Sequence, residues 1–176
     1  EFRRVLFRSH LKAIEIISKW LRKSVEGDME AREKMALGQY IAGMGFSNVG
    51  LGIDHSMAHP LSAFYDIPHG VACAILLAPV LTFNASATGE RYREVARAMG
   101  VADVDTMSQD EYRQAAIDAC QKLADDVGIP RKLSELGVQE KDIDFLADSA
   151  MADACTPGNP RDVEKSQIVA LYKSIL

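Results

Sequence analysis

Residues 31–77 read AREKMALGQYIAGMGFSNVGLGIDHSMAHPLSAFYDIPHGVACAILL, and this stretch decides the fold. Residues 29–43 have the composition of a helix, and a long apolar helix is predicted over about residues 70–84. Between them lies the glycine-rich segment GMGFSNVGLG, residues 43–52. Because a glycine inside a helix costs roughly 1 kcal/mol relative to alanine, we expect a neighbouring helix or a ligand to approach the backbone closely there.

Outward from this stretch the sequence predicts helix after helix. Apolar residues recur at helical spacing over 11–25, and SQDE at 108–111 is a capping box that opens a helix. Further helices are expected at about residues 89–99, 132–136, 141–152 and 162–176. No alternation with the period of a strand is present, so the predicted fold class is all-α, a helical bundle forming one domain over residues 10–176.

Three of the four histidines lie close together in the sequence: His55, His59 and His69. On a helix His55 and His59 are one turn apart on the same face. His69 begins the next helix, and a helix-turn-helix can fold it back toward them. Since imidazole is the commonest metal ligand in proteins, this spacing favours a divalent-metal site. The alternative is that these are core histidines with ordinary hydrogen bonds.

The chain offers few further ligands for such an ion. HSMAH has Ser56 where the zinc-protease motif HExxH needs its glutamate, which disfavours that class of hydrolase. Catalytic metals usually have at least three protein ligands. However, Asp54 is expected to point to a different helix face, Asp66 to cap the start of the next helix, and His10 to lie on the surface.

Composition excludes several classes of function. The net charge is −5 and the basic residues are dispersed, which argues against nucleic acid. The longest apolar run, residues 72–80, falls short of the roughly 20 residues that span a bilayer, so no membrane contact is expected. Cys73, Cys120 and Cys155 are odd in number and widely spaced, which favours reduced thiols in the cytoplasm.

The first nine residues, EFRRVLFRS, differ from the rest of the chain. They carry three arginines, no helix cap and an apolar segment too short for a signal peptide. They resemble the translation of a sequencing-library adapter, so we expect residues 1–9 to lie outside the fold. A genuine basic N-terminal arm is the alternative.

Three segments carry a family resemblance: residues 31–77, the loop CTPGNPR at 155–161, and the closing IVALYKSIL at 168–176. They resemble the group III iron-containing alcohol dehydrogenases, in the group of the lactaldehyde reductases. GMGFSNVGLG, HxxxHPL and PHG occur in the order and spacing of that family. The resemblance, which extends over residues 10–176, implies the C-terminal helical domain of a dehydroquinate-synthase-like fold, with the α/β nucleotide-binding domain missing from this chain.

The resemblance also implies roles for individual residues. His55 and His69 would be metal ligands, His59 a catalytic proton relay, and Phe46 and Cys155 part of the substrate and nicotinamide pocket. The family's remaining ligands, an Asp and a His, would lie upstream. The implied cofactors are Fe²⁺, with Zn²⁺ as the alternative because imidazole suits both, and NAD(H), bound mainly by the upstream domain.

The function implied is that of a cytoplasmic NAD-dependent enzyme that interconverts a small, lactaldehyde-like aldehyde and its alcohol by metal-assisted hydride transfer. A homodimer is expected for the complete enzyme, and little activity for this chain alone. Two alternatives stay open. One is a zinc enzyme of the glycerol dehydrogenase or dehydroquinate synthase type, and the other is an inactive helical fragment. The glycine-rich segment and CTPGNPR favour the NAD-dependent alcohol dehydrogenase over these alternatives.

Overall fold

The computed structural model describes residues 2–176, with side chains described from Phe7 onward. In this described part eight α-helices and five short 3-10 helices follow one another without a strand, which confirms the all-α prediction. The helices are α1 (Phe2–Val25), α2 (Met29–Val49), α3 (Ile53–Tyr65), α4 (His69–Asn84), α5 (Arg91–Ala98), α6 (Gln109–Asp126), α7 (Ile143–Ala152) and α8 (Lys165–Ser174).

The helices fall into two compact units. The first combines the chain through Val49 with Thr88–Val127 and holds α1, α2, α5 and α6. The second combines Gly50–Ala87 with Gly128–Leu176 and holds α3, α4, α7 and α8. The prediction of one domain over residues 10–176 stays a prediction, since a compact unit need not fold independently.

Helix α1 begins earlier than its apolar pattern predicts. It starts at Phe2, so most of the segment that we expect to lie outside the fold is helical. Residues 2–9 contain no proline or glycine, and nothing in them stops a helix that is already formed downstream. Glu1 and the side chains up to Leu6 lie outside the described residues, and Phe7 is exposed. That residues 1–9 lie outside the native fold therefore stays a prediction.

In the first unit α2 runs straight through part of the glycine-rich segment. A Cβ built on Gly45 would lie 2.1 Å from Nε2 of His10, so the α1 side chain packs directly on the α2 backbone. This confirms the expected close approach at Gly45 and corrects the surface position expected for His10, which is half-buried. At Gly43 a Cβ would meet open space, and Gly50 follows the end of α2 with a φ of 80°.

The second unit has a continuous apolar core between α3, α4, α7 and α8. Its largest fully buried side chains are Ile53, Met57, Leu61, Leu76, Leu133, Ile143, Leu146, Ile168 and Tyr172. Each such aliphatic side chain contributes roughly 1.5–3 kcal/mol by leaving water. The Tyr172 hydroxyl donates to the backbone oxygen of Met57 at 2.6 Å and ties α8 to α3. This core fixes α3 and α4, the helices that carry the three clustered histidines.

The stretch His69–Ala87 is long and apolar enough to cross a membrane by length and composition. The prediction that no apolar stretch is long enough to span a bilayer, based on residues 72–80, is therefore wrong. Length and composition do not distinguish a membrane span from a core helix. Here α4 buries Ala72, Ile75 and Leu76 in the core of the second unit, which accounts for its apolar character.

Candidate metal centre

The rings of the three clustered histidines, two on α3 and one on α4, lie close together. Ring centroids of His55 and His69 lie 5.3 Å apart, those of His59 and His69 lie 5.4 Å apart, and those of His55 and His59 lie 6.2 Å apart. Asp66 ends α3 in the left-handed conformation with a φ of 52°, which reverses the chain. The cap expected at the start of α4 is thus a C-cap of α3, and the turn brings His69 beside the α3 histidines.

Cys73 joins this cluster, although the sequence did not suggest it. Its Sγ lies 3.5 Å from Nε2 of His69, one helical turn earlier on α4. One ring nitrogen each of His55 and His69 and the Cys73 sulfur all lie within 4.8 Å of one another. Nitrogen and sulfur donors suit Fe²⁺, Zn²⁺ and neighbouring ions rather than Mg²⁺ or Ca²⁺. The residues present therefore fit a transition-metal ion.

Asp54 contacts two members of the same cluster, His55 and Cys73. Its Oδ2 lies 3.9 Å from Nδ1 of His55, and its carboxylate also forms a hydrogen bond with the thiol of Cys73. The expectation that Asp54 points away from the histidines is therefore wrong. Its buried Oδ1 has no hydrogen-bond partner among the described residues. Burial raises the pKa of Asp54 to about 7, which the Cys73 hydrogen bond offsets only in part.

Burial also controls the ionisation of the donor groups. It lowers the pKa of His55, and the neighbouring His69 and His59 rings lower it further. The neutral imidazole that results is the form that binds a metal. Burial, together with the Asp54 carboxylate, raises the pKa of the Cys73 thiol to about 12.

His59 has a partner of its own on the loop after α7. Its Nδ1 lies 2.7 Å from Oδ2 of Asp153, while the other Asp153 oxygen accepts the backbone N–H of Cys155 at 2.8 Å. Burial raises the pKa of Asp153, but these hydrogen bonds outweigh it, so the pKa lies below its usual value. Asp153 was missed because 94 positions separate it from His59 and no local pattern links them.

The two predicted pocket residues have different positions. Donor atoms of Cys155, His59 and Asp153 lie within 4.8 Å of one another, so the second unit brings Cys155 to the histidine cluster. Burial raises the pKa of its thiol, and Asp153 raises it further. Phe46 lies on α2 in the first unit and is 45% exposed. Its role beside the nicotinamide stays a prediction.

Comparison with known proteins identifies the family. Residues 8–176 match the family model described as the C-terminal part of the Fe-containing alcohol dehydrogenases. Lactaldehyde reductase of Escherichia coli is 59% identical over 163 residues, which are 93% of this chain and 42% of the relative. The 1,3-propanediol dehydrogenase of Citrobacter freundii is 38% identical, with 93% of this chain and 42% of the relative covered.

Solved structures agree with this assignment. A 1,3-propanediol oxidoreductase superposes with a TM-score of 0.94 at 37% identity, over 98% of this chain and 45% of that one. An alcohol dehydrogenase from Oenococcus oeni superposes with a TM-score of 0.90 at 38% identity, over 94% of this chain and 44% of that one. The chain spans less than half the length of these relatives. It belongs to the iron-containing alcohol dehydrogenase family and corresponds to its C-terminal helical part.

Proposed function

We propose that this chain forms the metal-binding and proton-transferring part of an NAD(H)-dependent oxidoreductase that interconverts a small, lactaldehyde-like aldehyde and its alcohol. The observation that carries the proposal is the meeting of His55, His59 and His69 in a chain 59% identical to a lactaldehyde reductase. His55 and His69 are the proposed ligands. A bound Fe²⁺ or Zn²⁺ would supply Lewis acidity toward the substrate oxygen, and hydride transfer belongs to the nicotinamide.

His59 is the proposed proton carrier. Asp153 accepts a hydrogen bond from Nδ1–H of His59, which fixes the ring orientation and leaves Nε2 as the atom that exchanges a proton with the substrate. The His59 side chain is 42% exposed, so the proton can continue to solvent. Asp153 is a positioning residue, because it acts through His59. General acid–base catalysis of this kind contributes about 10²- to 10⁴-fold.

The remaining parts of the proposal concern the setting of the enzyme. Its partners are a small aldehyde or alcohol and the nucleotide, which would bind mainly to residues outside this chain. A homodimer in the complete enzyme and a cytoplasmic location belong to the same proposal. All three cysteines are free, as expected in a reducing compartment.

The test uses a chimera in which this chain replaces the matching part of E. coli lactaldehyde reductase. NADH-dependent reduction of lactaldehyde is measured together with the metal content of each purified variant. His55→Ala and His69→Ala should lose both metal and activity. His59→Ala should keep its metal and lose about 10²- to 10⁴-fold in turnover. His10→Ala, in the first unit, is the control and should change neither.

Two results would contradict these assignments. If His59→Ala loses its metal as completely as the other two variants, His59 is a ligand. If it keeps both metal and full turnover across the pH range, His59 has only a structural role. A chimera that binds metal but reduces no small aldehyde would refute the proposed reaction.

A further inference from the structure

We propose that Thr156 is a positioning residue, which holds Asp153 against His59 through a hydrogen bond to the buried Ser56 of α3. The inference rests on the proposed function only in taking His59 as the proton carrier. Thr156 acts on the reaction through Asp153 and His59, so its removal should slow turnover without loss of the metal.

Two contacts join the loop after α7 to α3, and they have the same spacing on both sides. On α3, Ser56 and His59 are three residues apart and so share one face. On the loop, Asp153 and Thr156 are also three residues apart, and the backbone N–H of Thr156 donates to the backbone oxygen of Asp153 at 3.2 Å. The hydroxyl oxygens of Ser56 and Thr156 lie 2.8 Å apart, beside the 2.7 Å bond between His59 and Asp153. A shift of Thr156 therefore also shifts Asp153.

Both contacts of the Thr156 hydroxyl are hydrogen bonds in only one arrangement. Its Oγ1 lies 2.6 Å from the backbone oxygen of Ala150, and a carbonyl oxygen can only accept. The single hydroxyl hydrogen of Thr156 therefore goes to Ala150, and the Ser56 hydroxyl donates to Thr156. Because Ala150 belongs to α7, the side chain of Thr156 joins α7 to α3.

Burial of Ser56 makes this contact costly to break. The Ser56 side chain has no exposed surface, and a buried hydroxyl is unfavourable unless it forms a hydrogen bond. Its other contact, with the backbone oxygen of Gly52, is long at 3.3 Å. If the loop moved away, Ser56 would keep only this weaker bond. The second residue of HSMAH is thus bonded to the loop that carries Asp153.

The competing explanation is that this hydrogen bond only stabilises the second unit and leaves the geometry of His59 unaffected. The two explanations differ in how the effects of substitutions combine. A residue that acts through Asp153 should have no effect on turnover once the Asp153 carboxylate is removed. Substitutions that act independently have effects that add as free energies.

The first experiment measures turnover, KM and metal content in the chimera with E. coli lactaldehyde reductase. Thr156→Val should lower kcat by about 10- to 100-fold, the cost of a small misplacement near the reacting groups, with metal content and KM unchanged. Thr156→Ser retains the hydroxyl and should retain turnover. In an Asp153→Asn background, Thr156→Val should cause no further loss. Thr106→Val, which removes a hydroxyl bonded to the Asp103 backbone oxygen in the first unit, is the matched control and should change nothing.

The second experiment measures the loop without reference to activity. Cys155 lies next to Thr156, and its backbone N–H donates to Asp153. In the metal-free chimera, alkylation of Cys155, mapped by peptide mass, should be about 2- to 10-fold faster in Thr156→Val, because loss of one hydrogen bond favours local opening of the loop. Ser56→Ala removes the other partner of the same bond and should have the same effect, which keeps the test valid if Thr156→Val does not fold. Alkylation of Cys120, in the first unit, should not change.

Several results would overturn the inference. They are wild-type turnover in Thr156→Val, an equal loss in Thr156→Ser, a full further loss when Thr156→Val is added to Asp153→Asn, or unchanged Cys155 alkylation in Thr156→Val and Ser56→Ala. If His59→Ala instead retains full turnover, the proposed role of His59 fails. Faster Cys155 alkylation would then still support the hydrogen bond as the contact that holds the loop, so the two failures are distinguishable.

Discussion

Replacing Gly158 with alanine tests whether the loop after α7 is locked against the start of α3. A Cβ on Gly158 would lie 2.0 Å from the backbone oxygen of Leu51, and contacts under 3.0 Å essentially never occur, so the loop must move by at least about 1 Å. The Leu51 side cannot yield easily, because Ile53 begins α3 in the core with no exposed surface. The movement therefore falls on the loop, which also carries Asp153 and Cys155.

The loss of stability expected for Gly158→Ala follows from the hydrogen bonds that this loop makes. Asn159, the next residue, exchanges two hydrogen bonds of 2.9 Å with the buried Asn84. A shift of about 1 Å breaks both, at about 0.5–1.5 kcal/mol each, and overpacking adds about 1–3 kcal/mol. The free energy of unfolding should fall by about 2–6 kcal/mol, a large share of the roughly 5–15 kcal/mol typical of a domain.

Urea unfolding followed by circular dichroism measures this loss. Gly70→Ala is the matched control: Gly70 lies exposed in the first turn of α4, and its Cβ would meet open space. That variant should match the wild type or gain less than about 1 kcal/mol. Equal stability of Gly158→Ala and Gly70→Ala would refute the idea that this close approach holds the loop in place.

Two further predictions use the same unfolding assay. The free energy of unfolding of Gly45→Ala should be about 1–3 kcal/mol lower than that of the wild type, because the new Cβ displaces the His10 ring. A Cβ on Gly43 would meet open space, so the free energy of unfolding of Gly43→Ala should rise by up to about 1 kcal/mol. Equal effects of the two substitutions would contradict the close packing of His10 on Gly45. The pKa of Asp54 in the folded state, about 7, lies above its ordinary 3.8, so the folded metal-free chain binds more protons than the unfolded one between these values and should lose stability as pH rises through that range. Asp54→Asn should reduce the difference between urea midpoints at about pH 5 and about pH 8, and a variant with an unchanged or larger difference would show that Asp54 is not its source.

Local patterns were sufficient to predict the fold class and most helices. The apolar spacing in α1 and the capping box before α6 are interactions within one helix, and the structure shows Ser108 and Glu111 in that capping box. The continuation of α2 through its glycines could not be predicted in this way. There the His10 ring packs on Gly45, and this tertiary contact outweighs the local preference of glycine against helix.

In the candidate site, too, residue pairs on one helix can be predicted from the sequence, whereas pairs formed by tertiary packing cannot. The spacing of His55 and His59 was visible because both lie on one helix. The pair His69 and Cys73 has the same spacing and could have been found by testing histidine–cysteine pairs as well as cysteine pairs. Asp153 could not, since it meets His59 only after α7 packs against α3.

The grouping of donor atoms separates the proposed roles of the histidines more clearly than their place in the sequence. An imidazole that donates one N–H to a carboxylate can be a metal ligand or a proton carrier, so the bond between His59 and Asp153 does not decide between them. However, the donor atoms of His55, His69 and Cys73 form one group within 4.8 Å, and His59 falls into a second group with Asp153 and Cys155. In the proposed assignment, a ring held in the second group would lie beside an ion bound by the first. From there it would reach the substrate oxygen without taking the coordination position that this oxygen needs.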